Sequence, residues 1–154
     1  MRGKGLEARL VSPEDKAFRG LLRELEQACA RRYGQAGKTV CRLGKDAEVI
    51  STCVILQNGQ GIACGLIQTL EEDCAQLLCL YVKPEYRRKG LARDVIQTLE
   101  LQGMWQGCMT LAMAVTKEMK EAVAMGKNLS FQKAVPWGIY KTDKAWMCLK
   151  KEIE

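Results

Sequence analysis

Apolar residues recur at strand-like and helical spacings that divide the chain into ten predicted elements. Strands are predicted at residues 6–11, 48–57, 61–70, 75–82 and 109–115, with two more between residues 131 and 153. Helices are predicted at residues 12 to about 32, 91 to about 102, and 117 to about 127. The order is strand, helix, three strands, helix, strand, helix and two strands. It predicts one mixed α/β domain over residues 1–154, with a sheet covered by helices.

Residues with strong local preferences mark several predicted boundaries. Ser12-Pro13 is expected to cap and begin the first helix. Asn58-Gly59 predicts a tight hairpin turn between two strands. Gly103 is expected to end the second helix. The strand at Ala75–Val82 is almost continuously apolar, which places it in the middle of the covered sheet.

The composition is that of an ordinary globular domain. Of its 154 residues, 47% are hydrophobic and 27% charged, and the net charge is +6. The basic residues are scattered along the chain, which disfavours a nucleic-acid partner. No apolar run reaches the roughly 18 residues that span a bilayer, so no membrane partner is expected. The charged N-terminus lacks an apolar signal core, and we predict a cytoplasmic protein.

Cysteine and histidine usage narrows the possible chemistry. The eight cysteines show no C-x-x-C spacing and the chain has no histidine, so no metal site is predicted. Most cysteines lie in apolar runs and are expected to be reduced and buried. Cys79 is one of these, and core packing is favoured over a nucleophilic role. Without histidine, any general acid or base must be Asp, Glu, Tyr, Cys, Lys, a chain terminus or water.

A basic, glycine-containing turn joins the buried strand to the second helix. Its sequence is Arg87-Arg88-Lys89-Gly90-Leu91-Ala92, followed by Arg93. The first turn of a helix exposes unpaired N–H groups, which attract phosphate oxygens. Small residues at Gly90 and Ala92 would let a pyrophosphate approach the backbone. Taken alone, the segment is more typical of a solvated basic turn that caps a helix.

With both flanking elements, the segment resembles a known motif. Arg-x-x-Gly-x-Ala at residues 87–92, after a strand ending in Tyr81-Val82-x-Pro84, is similar to the acyl-CoA motif of the GNAT superfamily of N-acetyltransferases. The resemblance covers nearly the whole chain. It implies a GNAT-like α/β fold in a single domain. Its central sheet is mixed and mostly antiparallel, with a V-shaped splay between the fourth and fifth strands and helices on both faces.

The resemblance also implies a cosubstrate and a reaction. Acetyl-CoA would place its pyrophosphate on the N–H groups of residues 88–92 and its pantetheine arm along Leu80 and Val82. A neutral primary amine of a small molecule or peptide would then attack the acetyl carbonyl directly. Family habit suggests a homodimer. The implied CoA-binding residues are Leu80, Tyr81, Val82, Arg87, Arg88, Lys89, Gly90, Leu91, Ala92 and Arg93.

Three positions depart from the family pattern. A common carboxylate base maps to Gln76, a glutamate of some relatives maps to Ala112, and the tyrosine acid maps to Gly126. Either water assists the reaction, or the chain is a non-catalytic acyl-CoA-binding or sensor module. Tyr81 and Tyr140 remain as candidate catalytic residues.

Other residues are expected to be structural or to shape the acceptor pocket. The acidic residues at 71–73 are expected to form a solvated turn. Trp105, Trp137 and Trp146 are expected to pack in the core, although they could also line a pocket. Acceptor recognition is assigned to the variable loops at residues 31–46 and 134–143.

Overall fold

Seven strands form a single mixed sheet in the computed structural model, which describes residues 5–33 and 47–153. The sheet order is β1-β2-β3-β4-β5-β7-β6. The strands are β1 Leu6–Val11, β2 Val49–Gln57, β3 Gln60–Glu71, β4 Cys74–Val82, β5 Thr110–Thr116, β6 Gln132–Lys133 and β7 Trp146–Glu152. The helices are α1 Lys16–Tyr33, α2 Leu91–Trp105 and α3 Lys120–Asn128, with short 3-10 turns at Pro84–Tyr86 and Gly138–Lys141. The predicted element order is confirmed. Most of the predicted acceptor loop at residues 31–46 lies outside the described residues.

The two long central strands form the predicted hairpin. Asn58 and Gly59 have φ angles of 50° and 84°, the left-handed values that a two-residue turn of this kind requires. Gln57 pairs with Gln60 and Leu56 with Gly61, and an irregularity then shifts the register by one residue, so that Ile55 pairs with Ala63. The turn and this irregularity together determine which side chains of β2 and β3 share a face.

The first helix begins three residues later than its capping pattern suggests. The carboxylate Oδ2 of Asp15 accepts a hydrogen bond from the N–H of Phe18 at 3.1 Å, as an N-cap does. Ser12 instead accepts from the N–H of Glu14 at 3.0 Å within a preceding turn. The prediction of Ser12 as the cap is therefore wrong, because a second capping residue stands nearer the first apolar turn.

The second helix continues through Gly103, so the prediction that it ends there is wrong. The N–H of Cys108 donates to the carbonyl of Gly103 at 2.8 Å, and that of Gly107 donates to Met104 at 3.0 Å. These two bonds form a Schellman motif, with Gly107 at φ 86° as its left-handed residue. The longer helix carries Trp105 into solvent, where it is 82% exposed. The prediction that Trp105 packs in the core is therefore wrong.

Helices cover both faces of the sheet, as predicted. One face packs against α1, with a core of Phe18, Leu21, Leu25, Val54, Leu56, Cys64, Leu66 and Leu78. The other packs against α2, with a core that includes Ile55, Ile62, Ile67, Leu77, Val95, Ile96 and Leu99, and α3 joins this side through Met125. A third cluster contains the buried residues Trp137, Tyr140 and Trp146, which confirms the prediction for both tryptophans.

The predicted splay separates β4 from β5. These strands pair in parallel at only three positions, and the last pair is Gln76 with Ala112. Beyond it, residues 77–82 of β4 and 113–116 of β5 form no ladder with each other. We call the wedge between these two segments the β4–β5 notch.

Candidate functional site

A bulge in β4 accompanies the notch. Cys64 of β3 pairs with Tyr81, but Leu66 pairs with Leu78, so β4 carries one extra residue between the pairs. Cys79 lies in this interval and adopts a φ of 58°. A bulge bends the strand that carries it. The bend lies in the segment where β4 no longer pairs with β5.

The backbone of β4 beyond the bulge presents polar groups to the notch. The N–H of Lys83 donates to the carbonyl of Ile62 on the β3 side at 2.9 Å. Because successive residues of a strand direct their hydrogen-bonding groups to opposite edges, those of Val82 point away from β3. The Val82 carbonyl indeed accepts a bond from Arg87 Nε at 2.9 Å. The same alternation directs the groups of Leu80, two residues earlier, toward the notch.

The turn between β4 and α2 contains two left-handed residues. Arg88 has a φ of 65° and Gly90 a φ of 80°. A Cβ at Gly90 would meet no atom within 4 Å, so the backbone angle, rather than crowding, favours glycine there. Among the described residues, the N–H groups of residues 88–92 donate no backbone hydrogen bond, and the first helical bond runs from Asp94 to the Gly90 carbonyl at 3.1 Å. These N–H groups are available to an anion.

The basic side chains of this turn have different positions. Arg87 folds back onto β4, with its guanidinium 5.7 Å from the ring centre of Tyr81 and its Nε on Val82. Lys89 lies 5.6 Å from the ring centre of Tyr86. Arg87, Arg88, Lys89 and Arg93 are all exposed. Arg87 thus braces the turn against the strand, while the other three leave the surface of the turn positively charged.

Tyr81 points toward α1, where it meets an acidic residue that sequence reasoning missed. Its hydroxyl donates to Oε1 of Glu24 at 3.3 Å. Lys83 Nζ lies 3.4 Å from Oε2 of the same carboxylate. Burial raises the pKa of Tyr81, and the negative charge of Glu24 raises it further, so the phenol stays protonated. The only signal for Glu24 in the sequence is its position beside the apolar Leu21 and Leu25.

Tyr140 lies at the closed end of the notch. Its hydroxyl accepts a hydrogen bond from Gln76 Nε2 at 3.5 Å, and Gln76 belongs to the last β4–β5 pair. The Tyr140 ring lies 5.0 Å from Trp146 and 5.8 Å from Trp137. Burial is the main cause that raises the pKa of Tyr140. The structure therefore brings Gln76, Ala112 and Tyr140 together.

Gly126 lies apart from that group, against β5. A Cβ on Gly126 would lie 2.7 Å from Met113 Cε and 3.1 Å from Leu149 Cδ1. Ser130, four residues later, adopts a φ of 74°, and Phe131 after it is buried. Ser130 thus ends the turn after α3 in a left-handed conformation, directly before a buried phenylalanine. The thioether methyl of Met113 occupies the space beside Gly126.

The chain belongs to the acetyltransferase (GNAT) family, because residues 16–131 match the sequence profile of that family. It is 33% identical over 73 residues to an amino-acid acetyltransferase of Pseudomonas fluorescens (strain Pf0-1). The aligned region is 47% of this chain and only 17% of that enzyme. No helix in the described ranges is long and apolar enough to cross a membrane. Within the same ranges, no cluster of three or more metal-ligating His, Cys, Asp or Glu side chains occurs.

Solved structures share the fold at low sequence identity. A Klebsiella pneumoniae protein assigned as an acyl-CoA N-acyltransferase superposes with a TM-score of 0.79 at 20% identity, covering 97% of this chain and 98% of that one. An N-acetyltransferase of Thermoplasma acidophilum, solved with coenzyme A, gives a TM-score of 0.70 at 16% identity over 96% and 98%. N-acetylglutamate synthase of Neisseria gonorrhoeae, solved with coenzyme A and N-acetylglutamate, gives 0.67 at 17% identity over 99% and 36%.

Proposed function

We propose that this protein is an acetyl-CoA-dependent N-acetyltransferase that transfers an acetyl group to a primary amine by direct attack. One observation carries the proposal: the β4–β5 notch leads along the outward-facing backbone of Leu80 and Val82 to the available N–H groups of residues 88–92. An extended arm ending in a pyrophosphate fits this path. The amine belongs to a small molecule or peptide, and the names of the relatives make amino acids the first acceptors to test.

The cosubstrate would be held mainly by backbone groups. The pantetheine arm adds to β4 as a strand adds to a sheet edge. The pyrophosphate lies on residues 88–92, where N–H groups and the start of α2 favour negative charge. Arg88, Lys89 and Arg93 add positive charge, and Arg87 holds the turn on the Val82 carbonyl. Leu91 is buried and anchors the start of α2.

The acetyl group would be transferred mainly by positioning. Holding two reactants in attack geometry can supply roughly 7–11 kcal/mol, whereas acid–base help typically contributes about 10²–10⁴-fold. Gln76, Ala112 and Gly126 are neutral, so they exchange no proton with the amine or the thiolate. Tyr140 could donate a hydrogen bond at the closed end of the notch, because its proton is retained.

A pair of glycines gives a matched test of the CoA site. Gly90 and Gly107 have φ angles of 80° and 86°, and a Cβ would be uncrowded at either position. Each alanine adds left-handed strain of about 1–2 kcal/mol but removes about 0.5–1 kcal/mol of backbone entropy from the unfolded chain, so Gly90→Ala and Gly107→Ala should each lower the free energy of unfolding by about 0.5–1 kcal/mol. In a thermal-shift assay, CoA and acetyl-CoA should raise the Tm of the wild type and of Gly107→Ala. They should raise the Tm of Gly90→Ala much less. Absence of any shift in the wild type would refute the CoA site.

A non-catalytic acyl-CoA-binding module is the second candidate, and the neutral residues Gln76, Ala112 and Gly126 favour it. Mass spectrometry separates the two, because only the enzyme adds an acetyl group to amino acids, polyamines or peptide N-termini. A cytoplasmic location and a homodimer remain predictions. Light scattering on the purified protein tests the dimer.

A further inference from the structure

A carboxylate approaches the bulged end of β4 from the face of the sheet that α1 covers. Glu24 accepts a hydrogen bond from Tyr81 at 3.3 Å and pairs with Lys83 at 3.4 Å. Tyr81 follows the bulge directly, since it is two residues beyond Cys79. By contrast, Glu71 lies at the far end of β4, where it pairs with Lys150 at 3.7 Å.

The two faces of the notch are occupied by different elements. Cys79 and Tyr81 pack in the cluster beneath α1, whereas Leu80 and Val82 pack with the core on the α2 side. The turn at residues 87–90, on which the pyrophosphate would lie, leads directly into α2. If acetyl-CoA enters along α2, as the proposed function requires, the α1 face remains for the amine. Glu24 is on that face.

The Glu24 carboxylate is partly exposed and has free lone-pair positions that can accept a proton. Its side chain is 41% exposed, so it can exchange protons with solvent. Tyr81 and Lys83 occupy one position on each oxygen, and a carboxylate offers about four lone-pair positions. One turn away on α1, Gly20 and Ala28 are uncharged. Among the described residues, Lys83 forms an ion pair with Glu24, and the charges of Arg87 and Glu85 act on the neighbouring Tyr81.

We propose, resting on the proposed function, that Glu24 accepts the proton of the acceptor ammonium. The ammonium R–NH₃⁺ gives one proton to the Glu24 carboxylate, directly or through one water, and becomes R–NH₂. Its lone pair attacks the acetyl carbonyl, the C–N bond forms, the C–S bond breaks, and CoA leaves as thiolate. The second nitrogen proton passes to water, and Glu24 returns its proton to solvent.

Two acceptors of different basicity test this role. The side-chain amine of an Nα-blocked lysine has a pKa of about 10.4, and the α-amine of a C-terminally blocked Ala-Gly-Gly peptide one of about 8. The neutral fraction of the amine limits how much a base can help. At about pH 7, the loss in kcat/KM from Glu24→Gln therefore cannot exceed about 10³-fold for the lysine and about 10-fold for the peptide. We expect about a 10²-fold loss for the lysine, within the usual range for a general base.

The pH dependence distinguishes a base from a structural contact. The loss from Glu24→Gln should disappear as the pH passes the pKa of the acceptor amine, near about 8 for the peptide and about 10.4 for the lysine. Glu26→Gln makes the same charge change at an exposed position of α1 and should leave kcat/KM unchanged. Tyr81→Phe removes the hydroxyl that positions Glu24 and should give a smaller loss with the same pH trend.

The outcomes separate failure of the inference from failure of the proposed function. If the wild type acetylates either amine and Glu24→Gln behaves like Glu26→Gln at every pH, the role of Glu24 is refuted and the enzyme stands. A loss that is constant with pH also refutes it, and marks Glu24 as a structural contact. If acetyl-CoA stabilises the wild type but neither amine is acetylated, the transfer reaction and the role of Glu24 both fail.

Discussion

The protein should become more stable when Ser130 is replaced by glycine. It follows α3 with a φ of 74° and closes a Schellman motif, in which the N–H of Phe131 donates to Gly126 at 2.8 Å and its own N–H donates to Lys127 at 3.2 Å. A left-handed conformation costs a non-glycine residue about 1–2 kcal/mol. Glycine removes that strain but adds about 0.5–1 kcal/mol of backbone entropy to the unfolded chain. The net gain for Ser130→Gly is therefore about 0.5–1 kcal/mol.

Denaturant unfolding, followed by circular dichroism, measures this gain directly. For a domain of this size, about 1 kcal/mol corresponds to a rise in Tm of roughly 2–4 °C. Asn128→Gly is the matched control, because Asn128 is exposed in the last turn of α3 and has an ordinary helical conformation. The control should lose a few tenths of a kcal/mol. Equal losses in both variants would refute the assignment of Ser130 as the left-handed residue.

Two further predictions concern the core and the alkaline limit of stability. Gly65→Ala should lower the free energy of unfolding by about 1–3 kcal/mol, because its Cβ would lie 2.6 Å from Val95 Cγ1. Gly59→Ala is the control, because at this uncrowded turn position only the backbone strain changes. If Gly65→Ala left the stability unchanged, α2 would have to shift freely. Burial raises the pKa of Cys74 and Cys148 above their ordinary 9.0, so the folded chain keeps protons that the unfolded chain releases. These two thiols should leave the free energy of unfolding unchanged below about pH 9 and lower it as the pH rises beyond that value. Urea titrations at several pH values should show a smaller decrease in Cys148→Ala.

Local patterns in the sequence predict most of the architecture. The strands predicted on either side of residues 58–59, the Asn58-Gly59 turn itself and the continuous apolar run of β4 each depend on neighbouring residues, and the structure confirms all three. Gln76 and Ala112, which lie on different strands, form the last β4–β5 pair, and that pairing is visible only in the structure. These features are predictable because backbone geometry and side-chain periodicity determine them over a few residues.

Competing local signals account for the errors. Asp15 and Ser12 are both good capping residues, and only the position of the first buried turn decides between them. Gly103 and Gly107 are both suited to end the helix. The helix ends at the Schellman motif of Gly107, and Trp105 in its last turn is therefore exposed. Glu24 could not have been assigned from sequence, because its contact with Tyr81 spans 57 residues and depends on how α1 lies across the sheet.

Consecutive residues at the end of β4 connect both faces of the notch. Tyr81 points to α1 and binds Glu24, while the next residue, Val82, turns its carbonyl to the notch and holds Arg87 of the turn at residues 87–90. Arg87 also lies over the Tyr81 ring. A displacement of the turn at residues 87–90 would therefore act on both the notch edge and the Tyr81 hydroxyl that binds Glu24. Because these contacts share one short segment, the turn that we propose for CoA and the face that we propose for the amine are connected through Tyr81, Val82 and Arg87.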